Sequence, residues 1–334
     1  MRPTHHTRGR RFRGDPRPVP KPCQTWTGRA VSILVVGEAL VDLILTPDGA
    51  VGAIAGGGPF NMARTIARLE VPVSFAGGIS DDAFGVRLTE LLIADGVRLP
   101  LPARHGLLTT LALAEVDNSG AATYRFYTEG TAAPAISADD ITVDSQTQVL
   151  AVGTLGLVLE PMASTVESLV AAAADETLVF LDPNCRPATV TDRDAYLARL
   201  ARVLTRADVI KVSRDDLNYI CGRDVHANPI HAARGLLAGD TALVLFTDGS
   251  EIVHIITRSA DIEVPVAPIE IVDTVGAGDA FGGAFIAYWA ASGRTRADLG
   301  DLDAVRRCVE KAIDVAAITC QRVGADPPHL HELA

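Results

Sequence analysis

The stretch Asp273–Phe281, with the sequence DTVGAGDAF, places two glycines and two aspartates between an apolar run and a predicted helix. Glycine allows backbone amides to approach a ligand closely, and a helix N-terminus presents unpaired N–H groups with a partial positive charge. Such a junction suits an anion, most often a phosphate. A negatively charged side chain such as Asp279 is unexpected at an anion-binding helix start, unless its carboxylate acts on a group beside the anion. Taken alone, however, the motif is equally compatible with a tight turn in which Asp279 is an ordinary first-turn acid.

Polar side chains also follow several predicted strands at the point where each strand ends. Asp42 comes just after the first apolar run, and Asn61 stands at a predicted helix start behind three glycines. The segments LDPNCRP at 181–187, KVS and TDGS occupy the same kind of position. Polar groups at several strand ends of one sheet converge on a single cleft, as an active site requires. The structural alternatives are a turn cap at Asp42, a helix cap at Asn61 and a surface ion pair of Arg186.

Three widespread motifs are absent from the sequence. No Gly-Lys pair occurs, so there is no P-loop, and the G-x-G-x-x-G pattern fails because Phe281 takes the last glycine position. No G-x-S-x-G elbow is present either. These absences disfavour a Walker ATPase, a Rossmann dehydrogenase and an α/β-hydrolase.

The rest of the chain alternates between apolar runs rich in β-branched residues and amphipathic segments. The run VSILVVGEAL at 31–40 predicts a strand buried on both faces, and DDAFGVRLTELLIADG at 81–96 predicts a helix that ends at a glycine. Repeated units of this kind continue to a last predicted helix near 302–322. The pattern predicts an α/β fold with a doubly wound, mostly parallel sheet flanked by helices.

Two stretches break this alternation, 40–57 and 107–130. Both have the pattern of extended segments with turns, and DNSG at 117–120 separates two alternating runs as in a hairpin. We predict that the two stretches form a small β-sheet lid that projects from the α/β core. Ligands of open α/β sheets bind beyond the carboxyl ends of the strands, so the lid would lie over the site.

The composition, with 48% hydrophobic and 21% charged residues over 334 residues, is that of an ordinary globular enzyme. A formal net charge of −11 argues against nucleic acid or an anionic membrane as a partner. Residues 1–28 are rich in Pro, Gly and Arg, which predicts a disordered basic tail before one domain at 29–330. The five scattered cysteines indicate reduced thiols, and no apolar stretch is long enough to span a membrane, so we expect a cytoplasmic protein.

Two of the motifs together resemble the signatures of the PfkB, or ribokinase-like, family of carbohydrate kinases. DTVGAGDAF is similar to the C-terminal signature of that family, and GGGPFNMA with GGISDDAFG is similar to the N-terminal one. The resemblance extends from about residue 31 to residue 328. Within the family, the segments GEALVDLI, GGGPFN, YRFY and LDPNCRP most resemble the fructokinase and 2-keto-3-deoxygluconate kinase branch.

The resemblance implies a role for each matching position. Asp279 would be the base that takes the proton from the sugar hydroxyl, and the anion hole for the phosphoryl group would be formed by the amides of Gly276, Ala277 and Gly278. The residues implied for the sugar are Asp42, Gly57, Asn61, Tyr124 and Arg186. The residues implied for the nucleotide are Asn184, Lys211, Ser213, Asp216, Thr247, Asp248 and Gly249, together with Gly276 and Gly278.

The chain departs from the family pattern at the positions that handle metal ions. The usual N-x-x-E, which organises Mg²⁺ through water, is replaced by Ser213 and Asp216 at its ends. In the loop for a monovalent cation, this chain has Val275 where a hydroxyl residue is frequent. The resemblance still implies ATP with Mg²⁺ as cofactors, and it implies a K⁺ site at Asp273, Val275 and Gly324.

Together, the motifs and the resemblance predict an ATP-dependent sugar kinase that phosphorylates a primary hydroxyl, with fructose as the preferred substrate. The alternative substrates are 2-keto-3-deoxygluconate, then ribose or a nucleoside. A non-catalytic sugar-binding protein on the same fold is the alternative from another functional class. A homodimer formed through the lid is also expected, because a small exposed sheet needs its face or edge covered and the resemblance agrees.

Overall fold

The computed structural model describes residues 32–333 with the exception of 118–121, 142, 144, 145 and 226. The predicted tail at 1–28 lies outside the described residues, as does the predicted hairpin turn except for Asp117. The described part of the chain forms two separate sheets and a set of flanking helices.

The main sheet is built from eight strands, numbered along the whole chain: β1 (Ser32–Val36), β4 (Val73–Ala76), β7 (Thr147–Gly153), β8 (Leu178–Asp182), β9 (Val209–Ser213), β10 (Leu243–Asp248), β11 (Ile252–Ile256) and β12 (Asp261–Pro265). Their order across the sheet is β12-β11-β10-β9-β8-β7-β1-β4. The six strands from β10 to β4 are parallel, and β11 and β12 add an antiparallel edge. The doubly wound, mostly parallel sheet predicted from the sequence is therefore confirmed.

Helices cover both faces of the main sheet, because its strands are apolar on both sides. In the described part of the chain they are α1 (Gly58–Arg68), α2 (Ala83–Asp95), α3 (Met162–Ala172), α4 (Arg193–Leu204), α5 (Arg214–Cys221), α6 (Pro229–Arg234), α7 (Ala277–Ala291) and α8 (Leu302–Cys320). Helices α1, α2, α7 and α8 bury their apolar sides in one core, and α3 to α6 bury theirs in the other. None of these helices is both long and apolar enough to cross a membrane.

The two stretches that break the alternation form a second sheet, which we call the small sheet. Its strands are β2 (Leu40–Leu45), β3 (Val51–Gly56), β5 (Leu111–Val116) and β6 (Ala122–Tyr127), in the order β3-β2-β5-β6. Strand β2 pairs with β5 in parallel, and β5 pairs with β6 in antiparallel register, as a hairpin requires. The prediction of a small, separate β-sheet is confirmed.

Both faces of the small sheet carry apolar side chains. Asp42 is opposite Ile54 on one neighbouring strand and opposite Ala112 on the other, and Ala112 is opposite Phe126. Tyr124 shares this face because side chains two positions apart point to the same side, and its ring stacks on that of Phe126 with centroids 6.4 Å apart. The other face, which we call the outer face, carries Leu43, Leu45, Val51, Leu113 and Tyr127.

Helices α1 and α7 approach each other closely because glycines of α7 face α1. A Cβ atom at Gly283 would lie 2.8 Å from the carbonyl oxygen of Met62 and 2.9 Å from Cβ of Thr65. A Cβ atom at Gly282 would lie 3.1 Å from Cε of Met62. The absence of these side chains brings the first turns of the two helices together.

Candidate active site

The first turns of α1 and α7 meet at Asp279. Its carboxylate is buried, and Oδ2 accepts a hydrogen bond of 2.9 Å from Nδ2 of Asn61. Gly276 precedes the helix with a φ of 76°, a left-handed conformation that favours glycine. Of the three amides expected to form the anion hole, that of Ala277 donates to the carbonyl oxygen of Thr274 over a long 3.3 Å. Asp279 thus lies in the first turn, where the helix dipole concentrates positive charge.

Gly58 leaves a space open in front of Asp279. A Cβ atom at Gly58 would lie 2.6 Å from Cγ2 of Thr154, 3.1 Å from Oδ1 of Asp279 and 3.5 Å from Nδ2 of Asn184. Thr154 follows β7 and Asn184 follows β8, so groups from different strand ends surround one space. This is the convergence that the strand-end positions predicted.

Of the residues implied for the sugar, Asn61 contacts Asp279 and Asp42 is close enough to interact with it electrostatically. Gly57 precedes α1 with a φ of 107°. Asp42 does not follow a strand of the main sheet as predicted, because the first strand ends at Val36 and Asp42 lies within β2 of the small sheet. Its side chain is so close to β3 that a Cβ atom at Gly56 would lie 2.1 Å from its Oδ2. Burial and, to a smaller extent, the charge of Asp279 raise the pKa of Asp42 to about 6, and the charge of Arg186 opposes the shift. Two carboxylates and one guanidinium group therefore act on one another electrostatically in this part of the site.

Glu38 is a residue of the site that the sequence analysis did not single out. It lies two positions beyond β1, and both of its carboxylate oxygens are 2.6 Å from the hydroxyl group of Thr154. Its Oε1 also accepts a hydrogen bond of 3.2 Å from the amide of Gly58. Burial raises the pKa of Glu38 to about 7 in spite of these hydrogen bonds. The signal in the sequence is an acidic residue two positions after a buried apolar run, because a buried charge needs partners.

Lys211 and Asp182 form a buried ion pair beneath the first turn of α7. Nζ of Lys211 lies 3.0 Å from Oδ2 of Asp182, and both side chains are almost fully buried. Burial raises the pKa of Asp182 to about 7, and the charge of Lys211 opposes that shift. The other oxygen of Asp182, Oδ1, has no hydrogen-bond partner among the residues that the structure describes. The structure therefore shows Lys211 as a buried, paired cation, and its role at the nucleotide stays a prediction.

Ser213 and Asp216 cap the N-terminus of α5. The Asp216 carboxylate accepts hydrogen bonds of 2.8 Å and 2.6 Å from the amide and the hydroxyl group of Ser213. It also accepts a hydrogen bond of 2.6 Å from the amide of Cys185. This buried carboxylate is thus engaged within the protein, where it ties α5 to the loop that follows β8.

Thr247, Asp248 and Gly249 form the end of β10 and the turn after it. The hydroxyl group of Thr247 donates to the carbonyl oxygen of Val212 at 3.3 Å, and Asp248 accepts a hydrogen bond of 2.9 Å from Nε of Arg214. Gly249 has a φ of 64°, and no atom lies within 4 Å of the position that a Cβ would take there. The turn therefore has room beside it for a ligand.

Asp273 joins the two loops implied for a K⁺ ion. Its Oδ1 accepts a hydrogen bond of 3.0 Å from the amide of Val275, and its Oδ2 accepts one of 2.8 Å from the amide of Gly324. The amides of Val272 and Asp273 both donate to the carbonyl oxygen of Cys320. The three residues implied for the cation therefore lie together, just before α7.

Comparison with known proteins agrees with this geometry. The model of the pfkB family carbohydrate kinases matches residues 31–332. A fructokinase of Rhizobium leguminosarum bv. trifolii is 35% identical over 76% of this chain and 78% of its own length. A fructokinase of Klebsiella pneumoniae is 32% identical over 78% of this chain and 85% of its own length. The solved structure of a Xylella fastidiosa fructokinase with bound ATP is 28% identical, with a TM-score of 0.81, and the match covers 90% of this chain and 97% of that chain.

We predict that Glu38→Gln removes a pH-dependent part of the free energy of unfolding. The pKa of Glu38 is about 7 in the folded protein, above its usual 4.5, so the folded state binds this proton more tightly than the unfolded state. The stability that the proton contributes is complete below pH 4.5 and is lost as the pH rises through 7. Relative to the variant, the wild type should lose about 3 kcal/mol over this window, measured by denaturant titration at several pH values.

The matched control is Glu90→Gln, which changes an exposed glutamate of α2. Its free energy of unfolding should follow that of the wild type at every pH. Parallel pH profiles for the wild type and Glu38→Gln would contradict the assignment of a raised pKa to this buried carboxyl.

Proposed function

Because the chain belongs to the pfkB family of carbohydrate kinases, we propose that it is a fructokinase, which transfers the γ-phosphoryl group of ATP to a primary hydroxyl of fructose. The observation that carries the proposal is the position of Asp279, buried in the first turn of α7 and hydrogen-bonded by Asn61. Two similarities support the choice of substrates. The 35% identical relative is named a fructokinase, and the 28% identical structure contains ATP.

In the proposed reaction, Asp279 accepts the proton of the attacking hydroxyl group. The hydroxyl oxygen bonds to the γ-phosphorus while the bond from that phosphorus to the β,γ-bridging oxygen breaks, and ADP leaves with the electron pair. Asn61 holds Oδ2 of Asp279, so Oδ1 remains beside the space that Gly58 leaves open. The first-turn amides of α7 lie where negative charge on the phosphoryl oxygens needs stabilisation. The carboxylate and the anion hole thus serve the two partners of one displacement.

The residues of the site fit a Mg²⁺ ion held through water and phosphate oxygens. Mg²⁺ would neutralise charge on the triphosphate, and it usually keeps several of its waters in such sites. Asp182 offers an oxygen that lacks a hydrogen-bond partner among the described residues, whereas Asp216 already accepts three hydrogen bonds. We therefore assign Asp182, rather than Asp216, to the water shell of this ion. Asp273 joins the loops of Val275 and Gly324 by accepting a hydrogen bond from each amide, and backbone carbonyl oxygens of these loops would hold a K⁺ ion that orders the start of α7.

The sugar would lie between the small sheet and the first turn of α1. Asp42 can accept hydrogen bonds from sugar hydroxyl groups, and Tyr124 on the same face can pack its ring against the sugar. Burial already raises the pKa of Asp42, and Asp279 lies near enough to raise it further. An acceptor that carries a carboxylate would add a third negative charge here, with Arg186 as the opposing cation. This balance favours fructose over 2-keto-3-deoxygluconate.

The outer face of the small sheet fits a second copy of the chain. Val51 is 63% exposed and Tyr127 is 53% exposed, beside partly exposed leucines on the same face. Clustered apolar side chains on one sheet face mark an interaction surface. A twofold dimer buries the same face of both copies at once. The proposed enzyme is therefore a homodimer joined through the outer faces, and the prediction of a cytoplasmic location is retained with it.

We predict that Asp279→Asn lowers kcat at least about a hundredfold, because the amide keeps the size and can still accept a hydrogen bond but cannot take the proton. Nucleotide affinity and Tm should change little. The matched control is Asp273→Asn, which lies in the same motif but has a role in ordering the loop, and it should cost far less in kcat. ATP consumption with fructose measures both variants. An Asp279→Asn enzyme that retains more than about a tenth of the wild-type kcat would overturn the mechanism.

The substrate assignment predicts a rank order of acceptors. In an ATP-consumption screen over sugars and nucleosides, kcat/KM for fructose should exceed that for adenosine by at least about tenfold, or ~1.4 kcal/mol. The kcat/KM for fructose should also exceed that for 2-keto-3-deoxygluconate, because the carboxylate of the latter would lie near the charges of Asp42 and Asp279. A clear preference for a nucleoside would refute the substrate, and the absence of turnover with every acceptor would refute the enzyme.

The dimer proposal predicts that a charge on the outer face separates the copies. The wild type should have the mass of a dimer by light scattering at micromolar concentration, and Val51→Asp should shift it towards the monomer. Ile93→Asp is the control, because Ile93 is similarly exposed, at 53%, on α2. A strictly monomeric wild type would count against the proposal, and so would an unchanged mass for Val51→Asp.

A further inference from the structure

Lys211 has no part in the reaction as described so far, although it lies at the centre of the site. It is one of three lysines in the sequence, and it is only 4% exposed. An ammonium group in such a place is costly unless it is paired. Its hydrogen bond to Asp182 uses one of its three N–H groups, and in the described part of the chain no second hydrogen bond of Nζ is present. A buried cation with spare donors is unusual for a purely structural ion pair.

The ammonium group lies directly beneath Gly278. A Cβ atom at Gly278 would be 2.8 Å from Nζ of Lys211 and 3.6 Å from Cε. Gly278 belongs to the first turn of α7, where the anion hole is formed. Any side chain at this position would displace the ammonium group. A lysine suits the space because its ammonium is a compact point charge, whereas a guanidinium group is broad and planar.

The charge around Lys211 keeps it protonated. Burial lowers the pKa of Lys211, but the charges of Asp182, Asp216 and Asp279 more than offset this, so the pKa is raised above its usual value. The site is otherwise rich in carboxylates, namely Glu38, Asp42, Asp182, Asp216 and Asp279. A triphosphate adds further negative charge to this region. Lys211 is therefore a fixed counter-charge on the protein side of the anion hole.

We propose that Lys211 is an electrostatic positioning residue for phosphoryl transfer, with its ammonium group acting through the Gly278 peptide on the phosphoryl group and Asp182 holding it in place. The proposal rests on the proposed kinase function. It differs from the expectation drawn from the sequence, because Lys211 acts from beneath the anion hole without contact with the nucleotide. Interactions that strengthen in the transition state change kcat, whereas uniform binding changes KM. The effect of Lys211 therefore falls on kcat rather than on KM for the sugar.

The test removes the ammonium group in a background where its partner is already neutral. Asp182→Asn, whose amide oxygen can still accept a hydrogen bond from a water of the metal ion, is compared with the double variant Asp182→Asn/Lys211→Met in fructose-dependent ATP turnover, and Tm is measured for both. Both variants share any loss at the metal, so the ratio of their kcat values reports the ammonium group alone. We expect kcat of the double variant to be at least about tenfold lower, with KM for fructose changed by less than about threefold. The Tm of the double variant should be equal to or higher than that of Asp182→Asn, because the double variant no longer buries an unpaired ammonium group. Equal kcat values would show that Lys211 only neutralises Asp182, and would overturn the proposal.

A binding measurement that needs no turnover provides the second arm. Calorimetry compares ADP alone with ADP plus aluminium fluoride and fructose, a mimic of the phosphoryl group in transfer, in the wild type and the double variant. In the double variant, the affinity for the fluoride complex should fall at least about tenfold more than the affinity for ADP alone. Equal weakening of both would also overturn the proposal.

The two arms also separate this proposal from the proposed function. If the wild type turns over no fructose, the fructokinase assignment is refuted. If the double variant still loses more affinity for the fluoride complex than for ADP, the role of Lys211 stands. The control is Lys311→Met on α8, where the lysine side chain is 58% exposed. That variant should change neither kcat nor the ratio of the two affinities, and a loss equal to that from the buried lysine would count against a local effect.

Discussion

The close contact between α1 and α7 is the constraint on which the rest of the site depends. Two helices can approach this closely only where side chains are absent, and Gly282 and Gly283 provide that absence on α7. The contact joins Asn61 to Asp279 although they are 218 positions apart in the chain. It also brings the glycine-rich entry to α1 next to the anion hole of α7. Without it, the carboxylate and the acceptor pocket would belong to separate parts of the surface.

Burial of several carboxylates in one place is the energetic cost of this arrangement. Burial raises the pKa of Glu38 and of Asp182 to about 7 and that of Asp42 to about 6. Each of these carboxyl groups binds its proton more tightly in the folded than in the unfolded protein. Together they therefore lower the free energy of unfolding as the pH rises. Perturbed carboxylates of this kind cluster at functional sites, because the same burial excludes water from the chemistry. The hydrogen bonds of Thr154 and the charge of Lys211 limit the cost without removing it.

The sequence predicted the fold and the centre of the site because both depend on local patterns. Apolar strands and amphipathic helices indicated the parallel sheet, and the break in their alternation indicated the small sheet. Asn61 and Asp279 were identified because they lie near the starts of helices that follow strands. Asp42 was identified as a strand-end residue of the first strand, which was wrong in its placement, because Asp42 lies within β2 of the small sheet. The role of Glu38 was not predicted, because its partner Thr154 is 116 positions away. The depth of Lys211 and the capping role of Asp216 were likewise not evident, since both depend on side-chain packing.

The place of the small sheet in the chain has a consequence beyond the site itself. Strands β2 and β3 lie between β1 and α1, and strands β5 and β6 lie between α2 and β7. Each pair is an insertion between two elements of the main α/β domain and interrupts no strand or helix of that domain. Both pairs contribute buried residues to the cores of the main domain, among them Leu40, Val41 and Ala112, whereas the exposed positions of the pairs, such as Val51, are outside those cores. In evolutionary terms, the sugar preference that we propose can change by substitutions at the exposed positions of these two insertions, while the strands and helices of the main domain are kept.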